Sequence, residues 1–219
     1  MAEEAGAKAL FEKFGTYVLP GRVDDPRRAI DEAQEAERIG LGAVWISERF
    51  ALKEPAVLAG AVSEATSKIR INGTFYSTMR HPIVTASIAN LMQAMSGERF
   101  GIMFARAVPA YMKMLGAPAI TMERLADCIS IMRSLWKGET VDYEGVLGKF
   151  PMLKLTDMHK GKVPPIIFTA IGPKSLEFAG THCDGVLLHH LQEDLVFQSL
   201  EPLPAATNVG RFRFAPSGG

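Results

Sequence analysis

The sequence predicts an α/β fold of the TIM-barrel, (β/α)8 type, in which about six strand–helix units can be read and the barrel is left incomplete. Three observations predict it. Short apolar runs with few charges alternate with longer segments of helical period, the pattern of βαβ units. The runs are apolar at both alternate sets of positions, as in parallel strands covered on both faces. Polar residues gather just after the carboxyl ends of the runs, where a barrel carries its chemistry.

The first strand is read at residues 15–19 (GTYVL), followed by the turn LPGRVDD. Asp25 is an N-cap candidate, Pro26 suits the first helical position, and Gly40 after Ile39 is a stop. The second strand is AVWIS, residues 43–47, and Pro55 opens the helix after it. The third, IRINGTFYS, spans 69–77 and leads to a helix at Pro82. On that helix Val84, Ile88, Leu91, Met92 and Met95 fall on one face and are read as core packing. The fourth strand, FGIMFA, spans 100–105, and the next helix places Met122, Leu125, Ile129, Met132 and Trp136 on its core face. Residues 138–163 are too long for an ordinary connection and read equally as an active-site lid or a surface hairpin. The fifth strand, PIIFTA, spans 165–170, Pro173 starts a helix, and the sixth strand, GVLLH, spans 185–189.

At this strand spacing an open doubly wound sheet competes with a barrel. The nucleotide-binding form of the open sheet is disfavoured because no strand is followed by GxGxxG or GxxxxGK[ST]. The 24 basic and 24 acidic residues cancel, which points away from nucleic acid and anionic membranes and toward a small-molecule ligand. The N-terminus has no basic start followed by an apolar run, and no stretch approaches the ~20 apolar residues of a membrane span, so a cytoplasmic protein is expected. Cys128 and Cys183 have no metal-ligand spacing and read as packing residues. No metal site is expected, because the adjacent His189 and His190 would point to opposite faces of a strand. His81, before a helix proline, reads as a capping or loop residue.

The strand ends supply the candidate site. Glu48 and Arg49 follow the second strand; Phe75, Tyr76, Ser77, Met79 and Arg80 the third; Arg106 the fourth; and Thr169, Ala170, Ile171 and Gly172 the fifth. In the last of these, the N–H groups of Lys174 and Ser175 at a helix start would suit a phosphate, with Gly172 allowing close approach and Lys174 adding charge. Gly172-Pro173 as a plain helix-starting turn is the alternative.

In order, AVWISERF, HPIVTASIANLMQAMSGERFGIMFARA, MERLADCISIMRSLWKGETVDYEG and PPIIFTAIGPKSLEFAGTHCDGVLL resemble consecutive parts of the luciferase-like monooxygenase superfamily, closest to its coenzyme F420-dependent oxidoreductases. The resemblance covers residues 15–191 and implies a TIM barrel, hydride transfer on a deazaflavin (F420) or, alternatively, an FMN monooxygenase, and a homodimer. It implies a cis peptide at Phe75-Tyr76, which would cost ~3 kcal/mol. It also implies cofactor contacts at Phe75, Tyr76, Ser77, Arg106, Ala170, Ile171, Gly172, Lys174 and Ser175. Where several members have an acid and then a histidine, this chain has Glu48-Arg49. These are taken as the catalytic pair, Arg49 clamping an anion with Glu48 orienting it, or else as an exposed ion pair. Barrels of this kind need ~250 residues. The chain is therefore expected to stop short of a full barrel, with residues 192–219 a poorly ordered tail and a non-catalytic remnant as the competing outcome.

Overall fold

The structure is a computed structural model in which residue 12 and residues 14–19, 24–49, 53–156 and 158–188 are described. Six parallel strands lie in the order β1 (Gly15–Tyr17), β2 (Ala43–Ile46), β3 (Arg70–Phe75), β4 (Phe100–Phe104), β7 (Ile166–Ala170) and β8 (Gly185–Leu188). All six strands read from the sequence are present, each within a few residues of its expected ends. The helices are α1 (Arg28–Arg38), α2 (Pro55–Ala65), α3 (Pro82–Ser96), α4 (Pro109–Met114), α5 (Met122–Trp136) and α6 (Pro173–His182). The tail and His189-His190 lie outside the described residues.

Residues 138–163 contain an antiparallel hairpin, β5 (Val141–Gly145) and β6 (Gly148–Leu153), which forms its own two-stranded sheet. The short helix α4 was not read from the sequence; like α2, α3 and α6 it begins on a proline. Pro26 does not behave this way. It sits in a turn before α1, whose N-cap is Arg27, while the Asp25 carboxylate accepts the Arg27 N–H at 3.0 Å. Gly40 (φ +89°) and Gly97 (φ +64°) end α1 and α3 in the left-handed conformation that glycine tolerates best.

Val44, Ile46, Ile71, Phe75, Phe100, Ile102, Phe104, Ile166 and Phe168 project toward the helices and form the main core. The α5 stripe joins them as expected, with Leu125, Cys128, Ile129, Met132 and Trp136 buried. The α3 stripe does so only at Ile88 and Met92. Its buried face is Thr85, Ala86, Ala89, Met92, Gln93 and Ser96, whereas Val84, Leu91 and Met95 are about half exposed. Small residues let α3 approach the sheet, α2 and α5 closely, and the buried Gln93 amide and Trp136 indole are satisfied. Gln93 accepts the Phe100 N–H and donates to Lys162 O, and the Trp136 indole donates to Ala86 O. Cys128 is fully buried and Cys183 partly so, both free, with burial pushing each thiol up to about 12. No described helix is long and apolar enough to cross a membrane.

One carboxylate ties the outer layer to the sheet. Glu37 on α1 accepts the N–H groups of Ser67, Lys68 and Ile69 and the Ser67 hydroxyl, fixing the approach to β3. Partial burial alone would raise its pKa, but the Ile69, Lys68 and Ser67 donors outweigh that and hold it at about 2. Because the folded value lies below the unfolded one, this contribution is present above the ordinary carboxylate range and lost as pH falls toward about 2. Glu37→Gln is expected to cost about 1 kcal/mol at neutral pH and nothing at the acid end, as read by urea titrations across that range.

Candidate functional site

Register determines which side chains share the face turned away from the helices. Tyr17 is paired with Trp45, Trp45 with Asn72, and Asn72 with Gly101. Nearer the carboxyl ends, Thr74 is paired with Met103 and Met103 with Ile167, and Thr169 with Leu187. Partners across a parallel ladder project to the same side, so these residues line one surface. Ala43, Trp45, Met103 and Leu187 form an apolar cluster there, with Tyr17 and Ile167 packed against it. At the same end of the sheet the hydroxyls of Thr74 and Thr169, and that of Ser77 just beyond β3, are buried and find no hydrogen-bond partner among the described residues. An unpaired buried hydroxyl costs ~1–3 kcal/mol, so three at one end of a sheet mark a place where a polar ligand would restore what folding removed.

Glu48 is 2 % exposed and joins the ends of β2 and β3. Its carboxylate accepts the Tyr76 N–H at 2.7 Å and pairs with Arg80, whose other terminal nitrogen pairs with Glu54. The Arg80 guanidinium lies 5.1 Å from the centre of the Phe75 ring. The expected pairing of Glu48 with Arg49 is therefore corrected: consecutive residues leaving a strand diverge, and Arg49 is exposed. Arg49 instead forms a backbone bridge to Lys53.

Lys53, not anticipated from sequence, is 8 % exposed and donates to the carbonyls of Val18 and Leu19 at the end of β1. Burial and the nearby Arg49 charge lower its pKa to about 8. Tyr17 is pushed up to about 12 by burial and by Tyr76, and Tyr76 is raised by burial and by Tyr111. Both phenols are thus protonated donors at neutral pH.

The remaining expected contacts divide. Phe75 is fully buried among core residues facing the helices, so its side chain does not reach the apolar floor. The Phe75-Tyr76 bond is trans, since the described residues contain no cis peptide; in this form the Tyr76 N–H meets Glu48. Arg106 is exposed and makes no side-chain hydrogen bond or ion pair among the described residues. Ala170 is buried, whereas Ile171 is 69 % exposed at the rim.

The Gly172 turn is largely self-satisfied. Ser175 Oγ accepts from Ile171 N and Gly172 N and donates to Gly172 O, and Ser175 N donates to that same carbonyl. Of the two N–H groups expected to face a phosphate, only that of Lys174 remains uncommitted among the described residues. His81 caps α3 as expected, its Nδ1 accepting the Ile83 N–H at 3.3 Å. No group of three or more metal-ligating side chains occurs among the described residues.

Parallel strands feeding helices, with polar groups beyond the strand carboxyl ends, define the ligand-binding end of a TIM-barrel-type α/β protein. The chain belongs to the luciferase-like monooxygenase family, whose profile matches residues 4–214. It is 27 % identical over 206 residues to the F420-dependent glucose-6-phosphate dehydrogenase of Amycolatopsis mediterranei (strain U-32), covering 84 % of this chain and 56 % of that one. Among solved structures it is similar to an F420-dependent secondary alcohol dehydrogenase in complex with an F420-acetone adduct (TM-score 0.75, 20 % identity, 86 % of this chain and 62 % of that one). It also resembles the FMN-bound oxygenating constituent of 3,6-diketocamphane monooxygenase from a Pseudomonas putida plasmid (TM-score 0.74, 20 % identity, 89 % and 62 %). These structural likenesses establish the fold. The chain spans about half the length of the curated relatives it matches.

Proposed function

We propose that the protein is an oxidoreductase that binds coenzyme F420 over the strand ends and moves a hydride between it and an organic substrate. The observation that carries this reading is the apolar floor of Trp45, Met103 and Leu187 together with the buried hydroxyls of Thr74, Ser77 and Thr169 at the strand carboxyl ends, which have no hydrogen-bond partner among the described residues. That surface suits a flat heterocycle with polar edges. When bound, the deazaflavin ring supplies the hydride chemistry. The protein's part is to seat the ring on the floor, hydrogen-bond its edges, and hold the β2 and β3 ends rigid through Glu48 and Arg80. Arg106 and Lys174, both exposed and in no ion pair among the described residues, would meet an anionic arm. FMN is the second reading, supported by the FMN-bound neighbour of equal structural likeness. Two free cysteines suit a cytoplasmic, reducing setting.

Titration with F420 and with FMN, read by quenching of cofactor fluorescence, tests the assignment. F420 is expected to bind in the micromolar range and FMN at least about 10-fold more weakly, a gap of ~1.4 kcal/mol. The reverse order establishes the FMN reading, and no binding of either leaves a non-catalytic module.

We further propose a homodimer through α2 and α3. The 15 residues of α3 include no charge, and Val84, Leu91 and Met95 stand exposed, as does Val57 of the neighbouring α2 at 72 %. A two-fold interface opposes each patch to itself, so an uncharged face is what self-pairing requires. Leu91→Glu is expected to shift the sedimenting species from dimer to monomer; a monomeric wild-type protein at tens of micromolar would refute the proposal.

A further inference from the structure

A cavity of about 220 Å³ lies outside the apolar floor, where the loop after β3 meets the start of α5 and the tip of the β5–β6 hairpin. Its walls include Ser77, Thr78, Arg80, His81, Arg124 and Phe150, and no carboxylate. The proposed function uses Ser77 at the cavity's inner edge and Arg80 through its pairing with Glu48, and leaves the rest unassigned.

The polar atoms here are unusually underused. Ser77 is 2 % exposed and its Oγ has no partner; Thr78 Oγ1 and Arg124 Nε are likewise buried and partnerless among the described residues. Arg124 spends one terminal nitrogen on the Val146 carbonyl at the hairpin tip and forms no ion pair among the described residues. Arg80 differs, because its charge is matched by Glu48 and Glu54. The unbalanced charge of the cavity wall is therefore the single positive charge of Arg124. His81 adds a donor. Its Nδ1 accepts from Ile83, and burial lowers its pKa, so the neutral ring carries its proton on Nε2. Its ring is held 4.2 Å from that of Phe150.

Two hydroxyls, one guanidinium N–H and one imidazole N–H, with one uncompensated positive charge and no acid in the wall, form a donor set that recognises an oxyanion. The α3 N-terminus adds only its dipole, since the N–H groups of Ile83, Val84 and Thr85 all bond to His81. We propose that this cavity binds a carboxylate or phosphate group, with Arg124 and Ser77 as its principal contacts. The group is either a free anion or the anionic end of a ligand that reaches the cavity from the strand ends.

The test is calorimetric titration of the full chain with inorganic phosphate and, separately, with succinate, in a buffer free of other oxyanions. Saturable 1:1 binding of at least one probe is expected. Arg124→Gln is expected to weaken it about 10-fold or more and Ser77→Ala several-fold, while Lys68→Ala, exposed at the entry to β3 and outside the cavity wall, leaves it unchanged. Arg124→Lys keeps the charge and separates loss of binding from loss of fold, which circular dichroism monitors in every variant. Absence of saturable binding, or binding that Arg124→Gln does not weaken, overturns the proposal. Repeating the phosphate titration with F420 present distinguishes the sources: unchanged affinity identifies a free anion, and competition identifies a ligand arm. The cofactor-free titration stands or falls independently of the F420 reading.

Discussion

Arg99→Ala is expected to lower the unfolding free energy by about 3–4 kcal/mol, the largest effect of any single truncation outside the apolar core. Arg99 precedes β4, and its guanidinium donates to Ser96 O, to Thr66 Oγ1 and Ile69 O, and to Ser63 O and Thr66 O, at 2.7–3.1 Å. These acceptors include the last carbonyls of α2 and the segment entering β3, so one planar group closes a helix end and fastens two strand entries. Truncation leaves several half-buried carbonyls without donors. Arg99→Lys is expected to recover only a minor part, because a point charge with three donors cannot reproduce the fork. Guanidinium titrations should show a lower midpoint with an unchanged slope for both variants. A loss below about 1 kcal/mol for alanine would mean that water replaces the guanidinium at little cost.

Glu48→Gln is expected to weaken F420 binding about 10-fold and to cost about 2–3 kcal/mol of stability. The substitution preserves size and one acceptor oxygen but removes the charge. Arg80, with a side chain only 16 % exposed, would then rely on Glu54 alone, which is itself 43 % exposed. The Tyr76 N–H would compete with Arg80 for the remaining oxygen. Because Ser77 follows directly, a shift of this peptide displaces a hydroxyl proposed to hold the cofactor. Glu54→Gln provides the contrast: it weakens the exposed half of the network and should cost about 1 kcal/mol or less. Equal effects from the two carboxylates would contradict the central place given to Glu48.

These two arginines also mark where sequence reading reaches its limit. The strands and most helices were legible because β-period and α-period patterns are local and Pro55, Pro82 and Pro173 label helix starts. Arg99 was not. Its partners lie 30–36 positions away or are backbone carbonyls, which leave no mark in residue identity. Glu48 was found from its place after β2, yet its partner was assigned to the adjacent Arg49 rather than to Arg80, 32 residues on. The α3 face failed for another reason. A search for large apolar side chains selected Val84, Leu91 and Met95, whereas close packing among helices selects Ala86, Ala89 and Thr85. The rim was legible as a set of residues after strand ends, but not the way Ser175 closes its own turn, since a hydroxyl three residues into a helix fits either role.

The β5–β6 hairpin bonds along its length only to itself, and side-chain ties such as Tyr143 Oη to Asp127 and Arg124 to Val146 O fasten it to α5. A ladder closed within one excursion carries no register information for the six-stranded sheet. Residues gained or lost at its turn therefore shift no rung of the main ladder and move no residue of the apolar floor. In evolutionary terms this is the segment free to change length and sequence while the strand ends stay fixed, which makes it the natural place for relatives sharing one scaffold to diverge in what they admit at the rim.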